Sequence, residues 1–355
     1  MSNYPLPSVT HVTPLTTIRR ERVLPIPGVV TVRVNEKVQA SHIVAEAEPA
    51  PRHLFLDIVR GLGVSERQVS QYLVRHEGDR ADAGEVIAGP VGLARRTVRA
   101  PADGRIVSIS RGRVLFEVRG ELFRMRAGFP GVVIATDGTH SVTIQTTGAL
   151  IQGVWGNGHM DYGVMRMVGA GPADRLKTDQ LDVNLRGAVL VAGICDHPAP
   201  LHQATELSVR GVILGGLASD LIPVVQRLPY SLVVIEGFGE RPINPPAFNL
   251  LSTNVGREVA LYAHAANPYQ SQRPEVIIPL PTSRDVGFPD EVVPLKSGVR
   301  VRVIRAPYHS EVGIIQKVLA RAAQYPSGIR AMSAKVELEG GNVATVPIAN
   351  LEVLQ

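Results

Sequence analysis

Three acidic residues stand where apolar, strand-like runs of the sequence end. Asp196 follows "GAVLVAGIC", and Glu236 and Glu240 flank the glycines of "EGFGE". Carboxylates that converge at strand ends could hold a divalent cation or act in general acid–base chemistry. Side chains of this kind also serve as turn and helix caps. We favour an interface or capping role and predict no metal site.

Two glycines at another strand end suggest an anion site. Gly215 and Gly216 lie in "GGLASD", where their N–H groups could face an anion at the start of the next helix. The sequence contains neither a Walker P-loop nor the GxGxxG pattern of dinucleotide-binding folds. No nucleotide signature supports this site, and we predict no cofactor.

The segment "GVWGNGHMDYG" combines four glycines with side chains that could stack or form hydrogen bonds. Glycine leaves the backbone open to a ligand. The candidate pocket residues are Trp155, Asn157, His159, Asp161 and Tyr162. The alternative, which we favour, is a glycine-rich bulge at a barrel corner with Trp155 in the core.

Cys195 is the only cysteine in the chain, and it precedes Asp196 and His197. A Cys–His pair suggests a nucleophile, and strand alternation would place His197, but not Asp196, on the same side as Cys195. We favour a buried small hydrophobic residue. A single cysteine excludes an internal disulfide and a multi-cysteine metal site, which favours a reducing cytoplasm.

These strand-end sites depend on an α/β unit that we predict for residues 187–280. The predicted strands are "GAVLVAGIC", "RGVILGGL", "YSLVVIEGFGE" and "EVALYAHA", and helical segments separate them. Uninterrupted Val, Ile and Leu runs that alternate with helices predict a small Rossmann-like parallel sheet covered on both faces. Ligands bind such sheets beyond the carboxyl ends of the strands.

The pattern of residues 23–170 predicts a β-rich domain in which turn glycines separate short strands. From about residue 24 to 120 the pattern resembles the barrel-sandwich hybrid fold of biotinyl and lipoyl domains. The resemblance rests on Gly78, Asp79, Gly84, Val86, Ile87, Ala88, Ala100, Pro101, Asp103, Gly104 and Ile106. In carrier domains a lysine between these two halves bears the cofactor. The intervening "GPVGLARRTVR" has no lysine, so we predict no covalent biotin or lipoate.

"GLGVSERQVSQYL" matches a DNA-binding helix-turn-helix locally, with Gly63 in the turn and Ser65 as the helix cap. We predict a helix pair at residues 53–74, inserted into the β domain. Val59 occupies the position where close helix crossing usually needs Ala or Gly. We therefore favour a scaffold role over DNA recognition.

Residues 295–355 resemble a KOW module, the small SH3-like barrel of ribosomal proteins and NusG-type transcription factors. The resemblance rests on Gly298, Val299, Val301, Val303, Pro307, Tyr308, Gly313, Ile314 and Ile315, with the hairpin "EGGN" and the closing "VPIANLEVL". It implies contacts with RNA, ribosomal protein or polymerase. Protein docking or packing within the chain is the alternative.

Basic residues of this C-terminal segment are the candidate partner-binding residues. They are Lys296, Arg300, Arg302, Arg305, His309, Lys317, Arg321 and Arg330. Strand alternation predicts that Arg300 and Arg302 face solvent, since they lie between apolar positions.

Composition agrees with a β-rich globular protein of several domains. The 355 residues include 34 Gly and 27 Pro, which favours short strands and tight turns. The net charge of +5 permits an anionic partner. No apolar run approaches the ~18 residues of a membrane helix, and we expect a cytoplasmic protein with no membrane contact. Residues 1–22 are expected to form a flexible arm and the Pro-rich residues 281–294 a linker.

The predicted protein is therefore multidomain and β-rich, with a barrel-sandwich hybrid, a small Rossmann-like α/β unit and a C-terminal SH3-like KOW barrel. The leading interpretation is a non-catalytic adaptor or binding protein of the transcription or translation machinery, with RNA, ribosome or RNA polymerase as its partner. The alternative is an enzyme or enzyme subunit with a ligand or metal site at the strand ends of the α/β unit.

Overall fold

The computed structural model describes residues 8–120, 122–265, 272–280, 282, 286–290 and 292–355. The chain is β-rich, with 45% strand and 14% helix, as the composition predicts. The first strands are β1 (Val9–Thr10), β2 (Val12–Val23), β3 (Val29–Val30), β4 (Lys37–Val38), β5 (Ile43–Ala47), β6 (Arg52–Asp57), β7 (Arg80–Ala81), β8 (Val86–Val91), β9 (Arg96–Arg99), β10 (Gly104–Ser110), β11 (Arg113–Val118), β12 (Phe123–Arg126), β13 (Gly131–Thr136) and β14 (Ser141–Gln152). They continue as β15 (Trp155–Gly156), β16 (Met160–Met167), β17 (Ala188–Cys195), β18 (Gly211–Leu217), β19 (Ser231–Phe238), β20 (Glu258–Tyr262), β21 (Glu275–Pro279), β22 (Arg300–Val303), β23 (Val312–Val318), β24 (Ala323–Gln324), β25 (Arg330–Ala331), β26 (Ser333–Leu338), β27 (Val343–Pro347) and β28 (Leu351–Leu354).

Helices in the described residues are short. They are α1 (Ile58–Leu62), α2 (Val69–Tyr72), α3 (Pro198–Glu206), α4 (Ile222–Val225) and α5 (Pro245–Thr253). Single 3₁₀ turns lie at Glu66–Gln68, Thr178–Gln180, Val183–Leu185, Ser219–Leu221 and Ile348–Asn350. None of these helices has the length and apolar character that crossing a bilayer requires.

The main sheet is a curled half-barrel. Its strand order is β15-β19-β18-β17-β16-β20-β21-β14-β13-β4, and β2 pairs with β14. The four strands β16 to β19 run parallel to one another. Every residue of β17 is buried because a hydrophobic core covers each face. Leu201 of α3 packs into one core and Leu251 of α5 into the other, as predicted for helices on both faces.

The main sheet differs from the prediction in two respects. β20, expected as a further parallel strand, is antiparallel to both β16 and β21. β16, expected in the preceding β domain, pairs in parallel with β17, so one sheet crosses the expected boundary at residues 170–187. Apolar runs identify buried strands, but they carry no information on strand direction or on neighbours in the sheet.

The expectation of a flexible arm at residues 1–22 is wrong for the part that the structure describes, and residues 1–7 lie outside it. β2 pairs with β14 along most of its length, and Ile18 is 1% exposed. The register shifts opposite Gly148–Leu150, which accommodates Pro14 within a strand. The buried Thr16 hydroxyl donates to the carbonyl of Gly287 at 3.0 Å. Thr and Pro suggested a loop, but threonine fits a strand when its hydroxyl is satisfied.

The residues expected to form one fold from about 24 to 120 fall into two cores. Val44 and Ala45 pack with Phe129 and residues of the main sheet, whereas Ile87 and Phe116 lie in a separate core. The separate core contains the sheet β6-β11-β10-β7 and the hairpin β8-β9. A third sheet, β12-β5-β3, belongs to the first core.

The predicted helix pair is shorter than expected and belongs to this separate core. Residues 52–57 form β6 and pair with β11, so the helical part begins at Ile58. Gly63 ends α1 with φ of 70°, a left-handed cap that suits glycine. Ile58 and Val69 are buried beside the strands. The pair therefore closes a β core, in agreement with a scaffold role.

The C-terminal residues form a sheet in the order β1-β28-β22-β23-β26-β27 around a core of their own. β1, from the N-terminus, pairs in parallel with β28. The short hairpin β24-β25 extends from the connection between β23 and β26. In the expected linker, residues 281, 283–285 and 291 lie outside the described residues, and Gly287 accepts the N–H of Thr17 at 3.1 Å.

Candidate functional site

Arg175 brings together two of the three strand-end carboxylates. Its guanidinium forms ion pairs with both Asp196 and Glu240. The side chain of Glu240 remains three-quarters exposed. Arg175 lies in the connection before β17, where sequence patterns gave no signal for it. A guanidinium from the chain itself therefore already pairs with both acids.

Glu236, the third carboxylate, is buried and faces a different set of partners. Its side chain is 0% exposed and accepts a hydrogen bond from Nη1 of Arg302 at 2.5 Å. It also accepts bonds from the backbone and side-chain amides of Asn244, which caps α5. The predicted three-carboxylate cluster does not form. Within the described ranges, no group of three or more His, Cys, Asp or Glu residues could hold a metal ion.

Gly215 and Gly216 pack against backbone and do not face an open anion site. A Cβ on Gly215 would lie 2.6 Å from the nitrogen of Ile243, and one on Gly216 would lie 2.4 Å from the oxygen of Gly239. The segment that follows β19 thus lies directly over the two glycines. Glycine is required at both positions because two segments of the backbone pack closely here.

Cys195 is buried, as we favoured. Its thiol donates to the carbonyl of His197 at 3.4 Å, and burial raises its pKa to about 11. Nδ1 of His197 accepts the N–H of Ala199 at 3.2 Å and caps α3. The imidazole therefore holds a helix end and is not placed as the base for a thiol nucleophile.

The glycine-rich segment of residues 153–163 forms a tight corner with structural hydrogen bonds. Asn157 donates to the carbonyl of Tyr230 at 2.8 Å and accepts the N–H of Leu232 at 3.0 Å. Gly156 lies against the backbone of Ala263, where a Cβ would be 2.5 Å from its carbonyl oxygen. Trp155 is half-buried and packs edge-on against Phe238, with ring centroids 6.0 Å apart.

The other polar side chains of the corner do not converge on a pocket. Asp161 pairs with Arg210 at 3.5 Å and also accepts the N–H of Tyr162. Tyr162 is half-buried and packs against the core that contains Phe129. His159 is exposed. The bulge interpretation agrees with these contacts better than the pocket interpretation does.

The prediction that Arg302 faces solvent is wrong. Arg302 is 4% exposed and bridges Glu236 and Glu352, each at 2.5 Å. The end of β19 covers this side of β22 at Arg302, and Glu352 lies opposite Arg302 on the neighbouring strand β28. Arg300, on the same side of β22, stays exposed. Alternation fixes the side of a strand, but it does not show whether another part of the chain covers that side.

His309 also contacts the rest of the chain. It is half-buried, and its Nδ1 contacts the guanidinium of Arg241 and the hydroxyl of Ser310. Burial lowers its pKa, and Arg241 beside it adds to the effect. A half-buried His309 with a lowered pKa differs from the phosphate-binding cation that the sequence suggested.

The remaining predicted basic residues are exposed and carry no ion pair with any described residue. They are Lys296, Arg300, Arg305, Lys317, Arg321 and Arg330. Sequence reasoning missed Lys335, which lies directly opposite Lys317 in the antiparallel pairing of β23 and β26. The alternation "AKVEL" already placed Lys335 outward, but its cross-strand partner depends on register.

Neither protein-family models nor curated proteins give a match to this chain.

Proposed function

We propose that this chain is a non-catalytic RNA-binding adaptor that contacts the transcription or translation machinery through its C-terminal sheet. The observation that carries the proposal is the pairing of Lys317 with Lys335. Side chains directly opposite each other on one face lie about 5 Å apart at Cβ, where like charges destabilise the sheet. A bound polyanion would remove that repulsion.

The charge balance of the C-terminal residues supports an anionic partner. Residues 296–355 contain eight Lys or Arg and four Asp or Glu. Arg302 and Glu352 neutralise each other in a buried pair, which leaves seven basic and three acidic residues for the surface. Arg321 and Arg330, both exposed, lie in the connection that joins the two lysine-bearing strands β23 and β26. Phosphates bind such surfaces by releasing counterions.

The test is RNA binding by the double variant Lys317→Glu/Lys335→Glu. Each phosphate contact with a single strand contributes about −0.7 to the slope of log K against log salt. Loss of two contacts should weaken binding and flatten the slope by at least about 1.4. Fluorescence anisotropy with a short labelled single-stranded RNA, repeated over a range of salt concentrations, measures both quantities.

The chain offers a control of equal charge change. Its only other lysines besides Lys296 are Lys37 and Lys177, both exposed and both far along the chain from the C-terminal sheet. Lys37→Glu/Lys177→Glu should retain most of the affinity and the slope. Equal effects of the two double variants, or wild-type binding by Lys317→Glu/Lys335→Glu, would overturn the proposal.

A further inference from the structure

A large cleft lies between the main sheet and the C-terminal sheet. Its volume is about 1210 Å³, above the ~300–1,000 Å³ of common ligand pockets. β14 and the end of β19 line it from the main sheet, and β22 and β28 line it from the C-terminal sheet. The carboxyl end of a parallel strand, here β19, is where α/β sheets bind ligands. Only Glu236 of the predicted pocket residues lines it.

A buried ion network forms one part of the cleft. Arg302 bridges Glu236 and Glu352, and Arg273 donates to Glu352 at 2.9 Å. The hydroxyl of Thr10 donates to the same oxygen of Glu352 at 2.5 Å. Both oxygens of each carboxylate therefore already accept hydrogen bonds.

A third buried carboxylate near the cleft, Glu275, is saturated in the same way. Glu275 accepts two bonds from Arg20, at 2.6 and 2.7 Å, and one from Gln152 at 3.0 Å. Arg20 and Gln152 both line the cleft. With its carboxylates occupied, the cleft has little acceptor capacity left for a cation.

Two side chains in the cleft have hydrogen-bonding capacity that no described residue uses. Arg273 has a quarter of its side chain exposed and bonds to described residues only through Nη1. His11 is 7% exposed, lines the cleft and has no hydrogen-bond partner at Nδ1. A buried polar atom without a partner is costly, and a ligand oxygen would satisfy Nδ1 in the tautomer that carries the ring proton there. Arg19 adds a positive charge at the rim.

Aromatic and aliphatic side chains supply the apolar wall. Phe238 and Val154 line one side, and Phe288 lines the rim with half of its surface exposed. The guanidinium of Arg19 lies over the Phe288 ring, 4.3 Å from its centroid. An aromatic ligand body could pack against these rings.

We propose that this cleft binds a small organic anion, in which a carboxylate or phosphate faces Arg273 and His11 and an aromatic body packs against Phe238 and Phe288. Neither Lys317 nor Lys335 lines the cleft, so the site is independent of the RNA-binding proposal. A carboxylate and a phosphate would be recognised by the same donors, and a matched pair of probes, benzoate and phenyl phosphate, distinguishes between them.

Isothermal titration calorimetry with benzoate, phenyl phosphate, inorganic phosphate and benzyl alcohol tests the site. We expect benzoate or phenyl phosphate to bind wild type at least tenfold more tightly than uncharged benzyl alcohol or inorganic phosphate. The proposal is overturned if neither organic anion binds at millimolar concentration. Equal binding of inorganic phosphate would also overturn it, because the aromatic body would then contribute nothing.

Two variants locate the binding. Arg273→Gln leaves Glu352 paired with Arg302, and Phe288→Ala changes an exposed side chain, so both should fold. Each variant should lower the affinity for the organic anion about tenfold, because each loses one charged hydrogen bond or one aromatic contact. The matched controls are Arg105→Gln and Phe55→Ala, an exposed pair of residues on the separate β6-β11-β10-β7 sheet. Unchanged affinity in both cleft variants, with unchanged melting temperatures, would place the binding elsewhere and overturn the proposal.

Discussion

Arg302 of the C-terminal sheet lies 2.5 Å from Glu236 near the end of β19, and both side chains are almost fully buried. Arg302 binds Glu352 of its own sheet at the same distance. The single guanidinium thus joins the two sheets across their contact. Its burial is compensated because two carboxylates surround it, and burial of a lone charge would be costly.

Replacing Arg302 with methionine should destabilise the protein strongly. The change leaves Glu236 without its only described cation and leaves Glu352 with Arg273 alone. Breaking a buried pair on one side typically costs about 3–5 kcal/mol. Urea unfolding measures the loss. The control is Arg300→Met, two residues away on an exposed position, which should change the free energy of unfolding by less than about 0.5 kcal/mol. A similar small loss in both variants would contradict the buried bridge.

Acid should weaken the same contact through Glu352. Burial alone would raise the pKa of Glu352, but Arg302, with help from Thr10 and Arg273, holds the pKa below its usual value of 4.5. A carboxyl with a lowered folded-state pKa contributes its full stability above the unfolded-state pKa and loses it as the pH falls through the folded-state pKa. As the pH falls below 5, the free energy of unfolding should decrease more for the wild type than for Glu352→Gln. Urea unfolding at each pH measures it. Parallel pH curves for the two proteins would contradict this linkage.

The sequence predicted the parts of the fold in which a local pattern determines the environment. The run at residues 188–195 predicted a doubly buried strand, and all eight residues are buried. Cys195 was expected to be a buried hydrophobic residue because it closes that run, and it is buried. In both cases the answer depends on neighbours within one strand.

Local sequence patterns did not predict the contacts between distant parts of the chain. Ile18 becomes buried because β2 pairs with β14, more than a hundred residues later. Arg302 becomes buried because β19 ends beside β22, and Arg273 and His11 meet at the cleft although they lie far apart along the chain. Strand alternation predicts a face for each residue, and only the assembled fold decides what covers that face.

Gly216 should not tolerate even a methyl group. A Cβ at this position would lie 2.4 Å from the oxygen of Gly239 and 2.7 Å from the nitrogen of Arg241, and both atoms belong to the backbone. Forcing the two segments apart should cost about 1–3 kcal/mol or more. Thermal unfolding of Gly216→Ala tests this value. Gly340→Ala is the control, because its Cβ would enter open space. Equal melting temperatures for the two variants would show that Gly216 does not pack as described.

Cys195 should resist alkylation until the protein unfolds. Thiolate, and not thiol, reacts with iodoacetamide, and burial raises the pKa of Cys195 to about 11. At pH 8 the native protein should therefore gain the adduct far more slowly than the protein in concentrated guanidinium chloride, as measured by intact mass. Cys195→Ala controls for reaction at other residues and should gain no adduct under either condition. Rapid labelling of the native protein would mean that the end of β17 opens readily, and the nucleophile interpretation of Cys195 would again need testing.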